Sequence, residues 1–202
     1  MPPTRHLILF ARLPRLGAVK SRLARDIGTV GAWRFAEATT RSMIARLGRD
    51  PRWLTWLCLT PDDAIEEAER RWRPPVGMGF LCQGRGDIGV RMARALAAVP
   101  PGPRLLIGSD IPGVGPADID AAFRLLGAHD LVFGPAEDGG FWLVGARHPR
   151  PLQGLFAGVR WSTPHTLADT LVNVPPRLSV ALAAEKRDVD DGAALAAVMD
   201  RP

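Results

Sequence analysis

The residues of this chain best placed to do chemistry are carboxylates that close apolar runs, and a cationic stretch that follows the first such run. In "RLLIGSDIPGVG", residues 104–115, Leu105 to Ile107 lead into Ser109 and Asp110, and Pro112 cuts the run short. "FARLPRLGAVKSRLAR" gathers Arg12, Arg15, Lys20, Arg22 and Arg25 around Pro14 and Gly17. "GPAEDGGFWLVG" sets Glu137 and Asp138 before Gly139 and Gly140, and "KRDVDDGAALAAV" sets Asp188, Asp190 and Asp191 before a short helix. Arginine and lysine in a loop suit phosphate oxygens. Carboxylates at the ends of separate strands suit a hard cation, Mg²⁺ or Mn²⁺, bridging carboxylate and phosphate. Taken together they point to metal-assisted handling of a nucleoside diphosphate or triphosphate. Each stretch also has a structural alternative. The cations could form a solvated face, Asp110 could be a turn residue before proline, the glycine pair could serve a hairpin, and one late aspartate should cap its helix.

Other chemistries lack their residues. There is no His/Cys set for zinc, no G-x-S-x-G elbow and no G-x-x-x-x-G-K-[ST] loop. "GRGDIG", residues 84–89, matches G-x-G-x-x-G between an apparent strand and a helix, and Asp110 follows at about the spacing of a ribose-binding acid. An NAD or FAD site is nevertheless disfavoured. Asp87 puts a carboxylate where a pyrophosphate would need free N–H groups, and can cap those groups itself. A glycine turn with an aspartate N-cap is the simpler expectation.

The elements that must position these groups alternate along the chain. Strands are expected at His6–Phe10, Trp53–Leu59, Met78–Cys82, Leu105–Ser109, Leu131–Phe133 and Phe141–Gly145. Helices are expected from near Lys20, over Val30–Leu47, through "AIEEAERRW", over Asp87–Val99 and from Pro116 to Gly127. Such alternation predicts an α/β fold with a mostly parallel central sheet flanked by helices. Ligands of such sheets bind beyond the carboxyl ends of the strands, where Arg12, Asp62, Asp87 and Asp110 all fall.

The 202 residues, 47% of them hydrophobic, favour one domain over 1–202 with a sizeable core. The net charge of +5 rests on arginine, since Lys20 and Lys186 are the only lysines. No basic stripe with interleaved aromatics continues past the first loop, so no nucleic-acid partner is expected. No apolar run is long enough for a membrane span, and the five-residue apolar stretch near the N-terminus is too short for a signal peptide. A cytoplasmic location is expected, with Cys58 and Cys82 as reduced core residues.

The order of "FARLPRLGAVKSRLA", "GRGDIGVRM", "LIGSDIP", "GPAEDGGFWLVG", "LFAGVRWST" and "DVDD" over residues 10–191 resembles a bacterial family of unknown function classed with glycosyltransferases, some assigned to arsenosugar biosynthesis. It is similar to nucleotide-diphospho-sugar transferases of the GT-A fold and to 2-phospholactate guanylyltransferases. The resemblance implies a single-domain GT-A fold and Mg²⁺ or Mn²⁺ held by Asp110 and Asp190, or less readily Asp188. It implies nucleotide binding by Arg12, Gly17, Lys20, Arg22, Asp87 and Arg91. A sugar or acceptor pocket is implied at Asp138, Gly139, Gly140 and Trp161, with Lys20, Asp110 and Asp138 as catalytic residues. The partners would be a nucleotide sugar or nucleoside triphosphate and a small-molecule acceptor. Glycosyl transfer leads, nucleotidyl transfer is the alternative, and nucleotide binding without turnover comes third. Two departures stand out: Phe141 and Trp142 replace the family's tyrosines, and Ala194 replaces an acid that would complete a capping box.

Overall fold

The central apolar runs become strands buried on both faces, which is why they read as continuous rather than alternating. The computed structural model describes residues 3–148, 152, 154–187, 189 and 191–199. In chain order its elements are β1 His6–Arg12, α1 Ser21–Leu47, β2 Leu54–Thr60, α2 Ile65–Trp72, β3 Gly79–Cys82, α3 Ile88–Ala98 and β4 Arg104–Gly108. They continue with α4 Pro116–Ala128, β5 Leu131–Pro135, β6 Phe141–Ala146, α5 Thr166–Val172, β7 Val180–Leu182 and α6 Gly192–Met199. Among the described residues the strands form a seven-stranded sheet in the order β3-β2-β1-β4-β6-β5-β7. Only β6 runs against its neighbours, β4 and β5; the remaining pairings are parallel.

Alternation along the strands splits the core in two. Leu7, Leu9, Leu57, Leu105 and Ile107 meet Met43, Ile44 and Leu47 of α1, Ala68 and Trp72 of α2, and Ile119, Phe123 and Leu126 of α4. Ile8, Cys58, Leu106, Phe133 and Val144 meet Met92, Ala95 and Leu96 of α3 on the other face, with Leu155 and Phe156. The sheet is thus a middle layer between helices, as the alternating pattern predicts.

Three features depart from the sequence expectation. Helix α1 carries a break at Gly28, with φ 77° and ψ 158°, so the helix from Lys20 and the helix over Val30–Leu47 are two segments of one element. The short β7 and α5 carry too few residues to show a period. Cys58 is buried as expected, and burial pushes its thiol up to about 12. Cys82 is exposed instead, because β3 is an edge strand with one neighbour.

Two charged or titratable side chains are buried at the end of the sheet opposite the strand C-termini. Arg104 is 1% exposed and donates from Nη1 to Leu96 O (2.8 Å) and from Nη2 and Nε to Gly102 O (2.8 and 3.1 Å). It therefore closes the carbonyl end of α3, where a cation is favoured. His6, also 1% exposed, accepts the Trp56 indole N–H at Nδ1 (3.2 Å). Burial, and secondarily the Arg104 guanidinium, hold its pKa below the ordinary 6.5. The unfolded chain then binds a proton that the folded one refuses. The contribution of neutral His6 is complete above pH 6.5 and shrinks as pH falls below it. Denaturation midpoints at pH 7.5 and 5.0 should show wild type losing stability on acidification, and His6→Gln losing measurably less. Equal losses would mean His6 is not the sensor.

Candidate active site

The site forms where β1, β2, β3 and β4 end and the reversed β6 begins. The first loop leaves β1 at Arg12 and is held by one carbonyl. Pro14 O accepts Trp33 Nε1, Arg71 Nη1 and Arg71 Nη2, each at 3.2 Å. Arg71 is itself gripped by Glu37 Oε2 (2.6 Å) and Glu67 Oε1 (2.8 Å), and Trp72 Nε1 donates to Glu37 Oε1. Gly17 takes φ 78°, which only a residue without Cβ adopts freely. Lys20 takes φ 50° and ψ 52° as the N-cap of α1, an uncommon backbone for a lysine. The consequence is a side chain aimed across the strand ends: Lys20 Nζ stands 3.0 Å from Asp110 Oδ2.

Asp110 follows β4 directly. Ile111 and Val114 behind it are buried at 3% and 0%, and Val114 N closes a turn on Ile111 O. Arg46 Nη2 holds Pro112 O at 2.9 Å. The carboxylate is therefore carried on a packed turn, with its side chain 44% exposed. The backbone of Val189, itself fully buried, donates to Asp110 O at 3.5 Å, so Val189 lies beside this aspartate. Asp188 and Asp190 lie outside the described residues.

Two cavities meet at Arg12, Ser109 and Asp110. One, of about 310 Å³, lies between the basic loop and α1 and is bordered by Lys20, Ser21, Arg22, Thr39 and Thr40. The other, of about 420 Å³, has Arg91 and Gln83 on one side and Ile88, Met92, Phe141 and Trp161 as an apolar wall. Asp138 and Gly140 border it too. Trp161 lies edge-on to Phe141, and Phe156 backs both rings. Trp142 turns its indole N–H to Ala184 O (3.0 Å) and is 4% exposed, so Phe141 is the more open member of the pair.

The structure thus brings Arg12, Lys20, Arg22, Asp110, Arg91, Asp138, Gly140 and Trp161 to two adjoining cavities. Gly17, Asp87 and Gly139 border neither cavity. Asp87 caps α3, its Oδ1 accepting Val90 N at 2.8 Å, and Asp62 Oδ1 likewise accepts Gly84 N at 2.9 Å. Gly139, at φ 83°, lets the β5–β6 turn pass so close to Pro164 that a Cβ would lie 2.6 Å from its Cα. Asp138 Oδ1 accepts Gly140 N at 2.8 Å and so also shapes that turn. Asp191 is the expected late N-cap, accepting Ala194 N at 2.8 Å.

Sequence reasoning passed over Gln83. It is 1% exposed, and its Nε2 donates to Ala11 O (2.9 Å) and Cys58 O (3.2 Å), fixing which end of the amide is which. Oε1 is left to accept Arg91 Nη1 at 2.9 Å. A polar residue directly after the apolar "MGFLC" was the available signal.

A divalent cation suits the donor chemistry. Among the described residues no group of three His, Cys, Asp or Glu gathers to hold a metal ion. Asp110 offers one hard, half-exposed carboxylate beside the cationic side chains Arg12, Lys20 and Arg22. That matches Mg²⁺-type binding, in which one or two carboxylates combine with substrate phosphates and water.

Comparisons with known proteins establish the family and the fold. A profile for the family described as "Uncharacterized protein conserved in bacteria (DUF2064)" matches residues 43–163. The chain belongs to this family. Among curated proteins no match is found. A crystal structure from Desulfovibrio desulfuricans G20, provisionally assigned as a nucleotide-diphospho-sugar transferase, is similar at 28% identity and TM-score 0.85, over 97% of this chain and 86% of that one. The 4-diphosphocytidyl-2C-methyl-D-erythritol synthase of Anaerococcus prevotii DSM 20548 shares the fold at 10% identity and TM-score 0.64, over 98% and 97% of the two chains. Glucosyl-3-phosphoglycerate synthase from Mycobacterium tuberculosis, solved with Mn²⁺, UDP and glucosyl-3-phosphoglycerate, shares it at 14% identity and TM-score 0.58, over 92% and 71%. The DUF2064 chain therefore has the fold of the nucleotide-diphospho-sugar transferases.

Proposed function

We propose that the protein transfers a group from a nucleotide-activated donor to a small-molecule acceptor, with glycosyl transfer from a nucleotide-diphospho-sugar as the leading reaction. The observation that carries this is the Lys20–Asp110 pair, set 3.0 Å apart where two cavities meet beside Arg12. A carboxylate and a cation held at strand ends supply both halves of a diphosphate site. The relatives of known content handle nucleotides in the same fold, UDP in one case and a diphosphocytidyl product in the other.

In this reading the nucleoside lies in the larger cavity, with Arg91 and the Phe141–Trp161 wall around it. Arg12, Lys20 and Arg22 lie along the phosphates and offset the charge that grows on the leaving diphosphate. Asp110 and Asp190 would hold Mg²⁺ or Mn²⁺, which as a Lewis acid adds further stabilisation of that charge. The acceptor hydroxyl attacks the anomeric carbon, the bond from that carbon to the diphosphate oxygen breaks, and the diphosphate departs with the bonding electrons. Asp138 takes the hydroxyl proton through Oδ2, its Oδ1 being occupied by Gly140 N–H. Trp161 and Phe141 offer flat apolar faces to a sugar ring or base.

A second reading, nucleotidyl transfer, is favoured by the cations Arg12, Lys20 and Arg22 around one small cavity, more positive charge than a diphosphate needs. Thermal unfolding against nucleoside triphosphates and nucleotide sugars, with and without Mg²⁺ or Mn²⁺, separates the two. A ligand at 100 times its Kd adds about 2.7 kcal/mol, or roughly 5–10 °C for a domain of this size. Metal-dependent stabilisation by a nucleotide sugar and its diphosphate is the expected result. Stabilisation by a triphosphate alone would favour nucleotidyl transfer, and a flat response to all nucleotides would overturn both.

A further inference from the structure

The two lysines of the chain each meet an aspartate, at opposite ends of one turn. Lys20 and Lys186 are the only lysines among 26 lysines and arginines. Lys20 Nζ reaches Asp110, which opens the turn after β4. Lys186 Nζ stands 2.7 Å from Oδ1 of Asp118 in the first turn of α4, at 23% and 24% side-chain exposure. Asp118 Oδ2 accepts Gly115 N at 2.9 Å, so the same carboxylate closes the turn that Asp110 begins. Lys186 belongs to a segment that leaves β7 and lies along the end of β5. Ala183 N donates to Phe133 O (2.8 Å), Lys186 N to Pro135 O (3.1 Å) and Glu137 N to Lys186 O (3.3 Å). Arg187 Nε adds a 2.7 Å contact to Glu137 Oε2, and further on Val189 N donates to Asp110 O. Asp110 is thus flanked by two stretches of backbone with one common anchor, its own turn through Asp118 Oδ2 and the incoming segment through Oδ1. With Oδ2 taken by Gly115, Asp118 has one oxygen left to offer, which suits a single-point ammonium better than a guanidinium fork. An exposed ion pair by itself does little; this one matters for what its carboxylate joins. A ligand carried on a turn is held in place by the groups that brace it from behind.

We propose that Asp118 and Lys186 are a positioning pair for Asp110: their ion pair clamps the 183–187 segment to the turn at 111–115 and so fixes where the Asp110 carboxylate stands. Neither residue borders the two cavities, so both act through Asp110 and not on a ligand. The clamp is independent of the transferase reading, and its value for metal binding rests on that reading.

The test is site-resolved amide hydrogen exchange of the whole protein without ligand, followed by metal titration. Lys186→Met keeps most of the stem and removes the charge. The amides of Val114 and Gly115 on the turn, and of Lys186 and Val189 on the segment, should then exchange together about fivefold faster, the factor that corresponds to about 1 kcal/mol. Amides of α3 should keep their wild-type rates. Lys186→Arg should restore part of the protection, whereas a loss caused by packing alone would persist. Mn²⁺ is then titrated in the presence of ADP, CDP, GDP or UDP. With whichever diphosphate supports Mn²⁺ binding by wild type, Lys186→Met should weaken Mn²⁺ at least about fivefold and leave the metal-free affinity for that diphosphate unchanged. If the methionine variant fails to fold, Asp118→Asn, which keeps an acceptor for the Gly115 N–H, serves for both measurements. Unchanged exchange on the turn, or wild-type Mn²⁺ affinity in the variant, would overturn the proposal. No Mn²⁺ binding by wild type with any diphosphate would remove the metal reading, and exchange alone would then decide the clamp.

Discussion

Asp110→Asn should lower transfer from the donor identified by unfolding at least about a hundredfold, the scale on which a positioned electrostatic group acts, while leaving the fold intact. The side chain is 44% exposed, and an ion pair so open to water contributes at most about 1 kcal/mol to stability. Asparagine keeps the shape and loses the charge that both Lys20 and a divalent cation answer. Stabilisation by Mg²⁺ or Mn²⁺ in the presence of nucleotide should disappear with activity, whereas nucleotide binding without metal should survive in part through Arg12, Arg22 and Arg91. Full activity in the variant would remove Asp110 from the mechanism. A variant that turns over normally but unfolds at a lower denaturant midpoint than wild type would leave the Lys20 bridge as a structural pair.

Arg104→Met should damage stability strongly although it lies away from the site. Its guanidinium is almost wholly enclosed and is satisfied by carbonyls of Leu96 and Gly102, with longer bonds to Pro100 and Val99. Methionine fills much of the volume and strands those acceptors, each worth about 1–3 kcal/mol when left unpaired in the interior. Relief from burying a charge offsets part of the loss, so a net destabilisation of about 2–4 kcal/mol is expected. The denaturant midpoint should fall with its slope unchanged. Arg104→Lys should recover only part, since one ammonium cannot reproduce the forked donation to both ends of the turn. A change below about 0.5 kcal/mol for the methionine variant would mean that water replaces the guanidinium.

What could be read in advance divides along physical lines. The strands at His6, Trp53, Leu105, Leu131 and Phe141 were legible because burial on both faces leaves an uninterrupted apolar run. Asp110 and Lys20 were legible because a charge at the end of such a run, or beyond a Pro–Gly loop, lacks an ordinary packing reason. The place of β6 between β4 and β5 was not, since strand order depends on contacts far apart in sequence. Asp87 carries two expectations at once. The resemblance assigns it to nucleotide contact, while local capping already uses its Oδ1.

The buried amide of Gln83 has a consequence for the energetics of association. It ties the ends of β1 and β2 through Ala11 O and Cys58 O, and its remaining oxygen holds Arg91. Parallel strands twist apart at the edge where ligands bind, and a guanidinium on a long stem would otherwise sample many rotamers. With both degrees of freedom removed beforehand, this wall of the cavity is preorganised, and a ligand meeting it loses little side-chain entropy on that side. Selectivity there follows from the fixed fork of Arg91: a group must present acceptors in its plane, because the wall does not move to meet it.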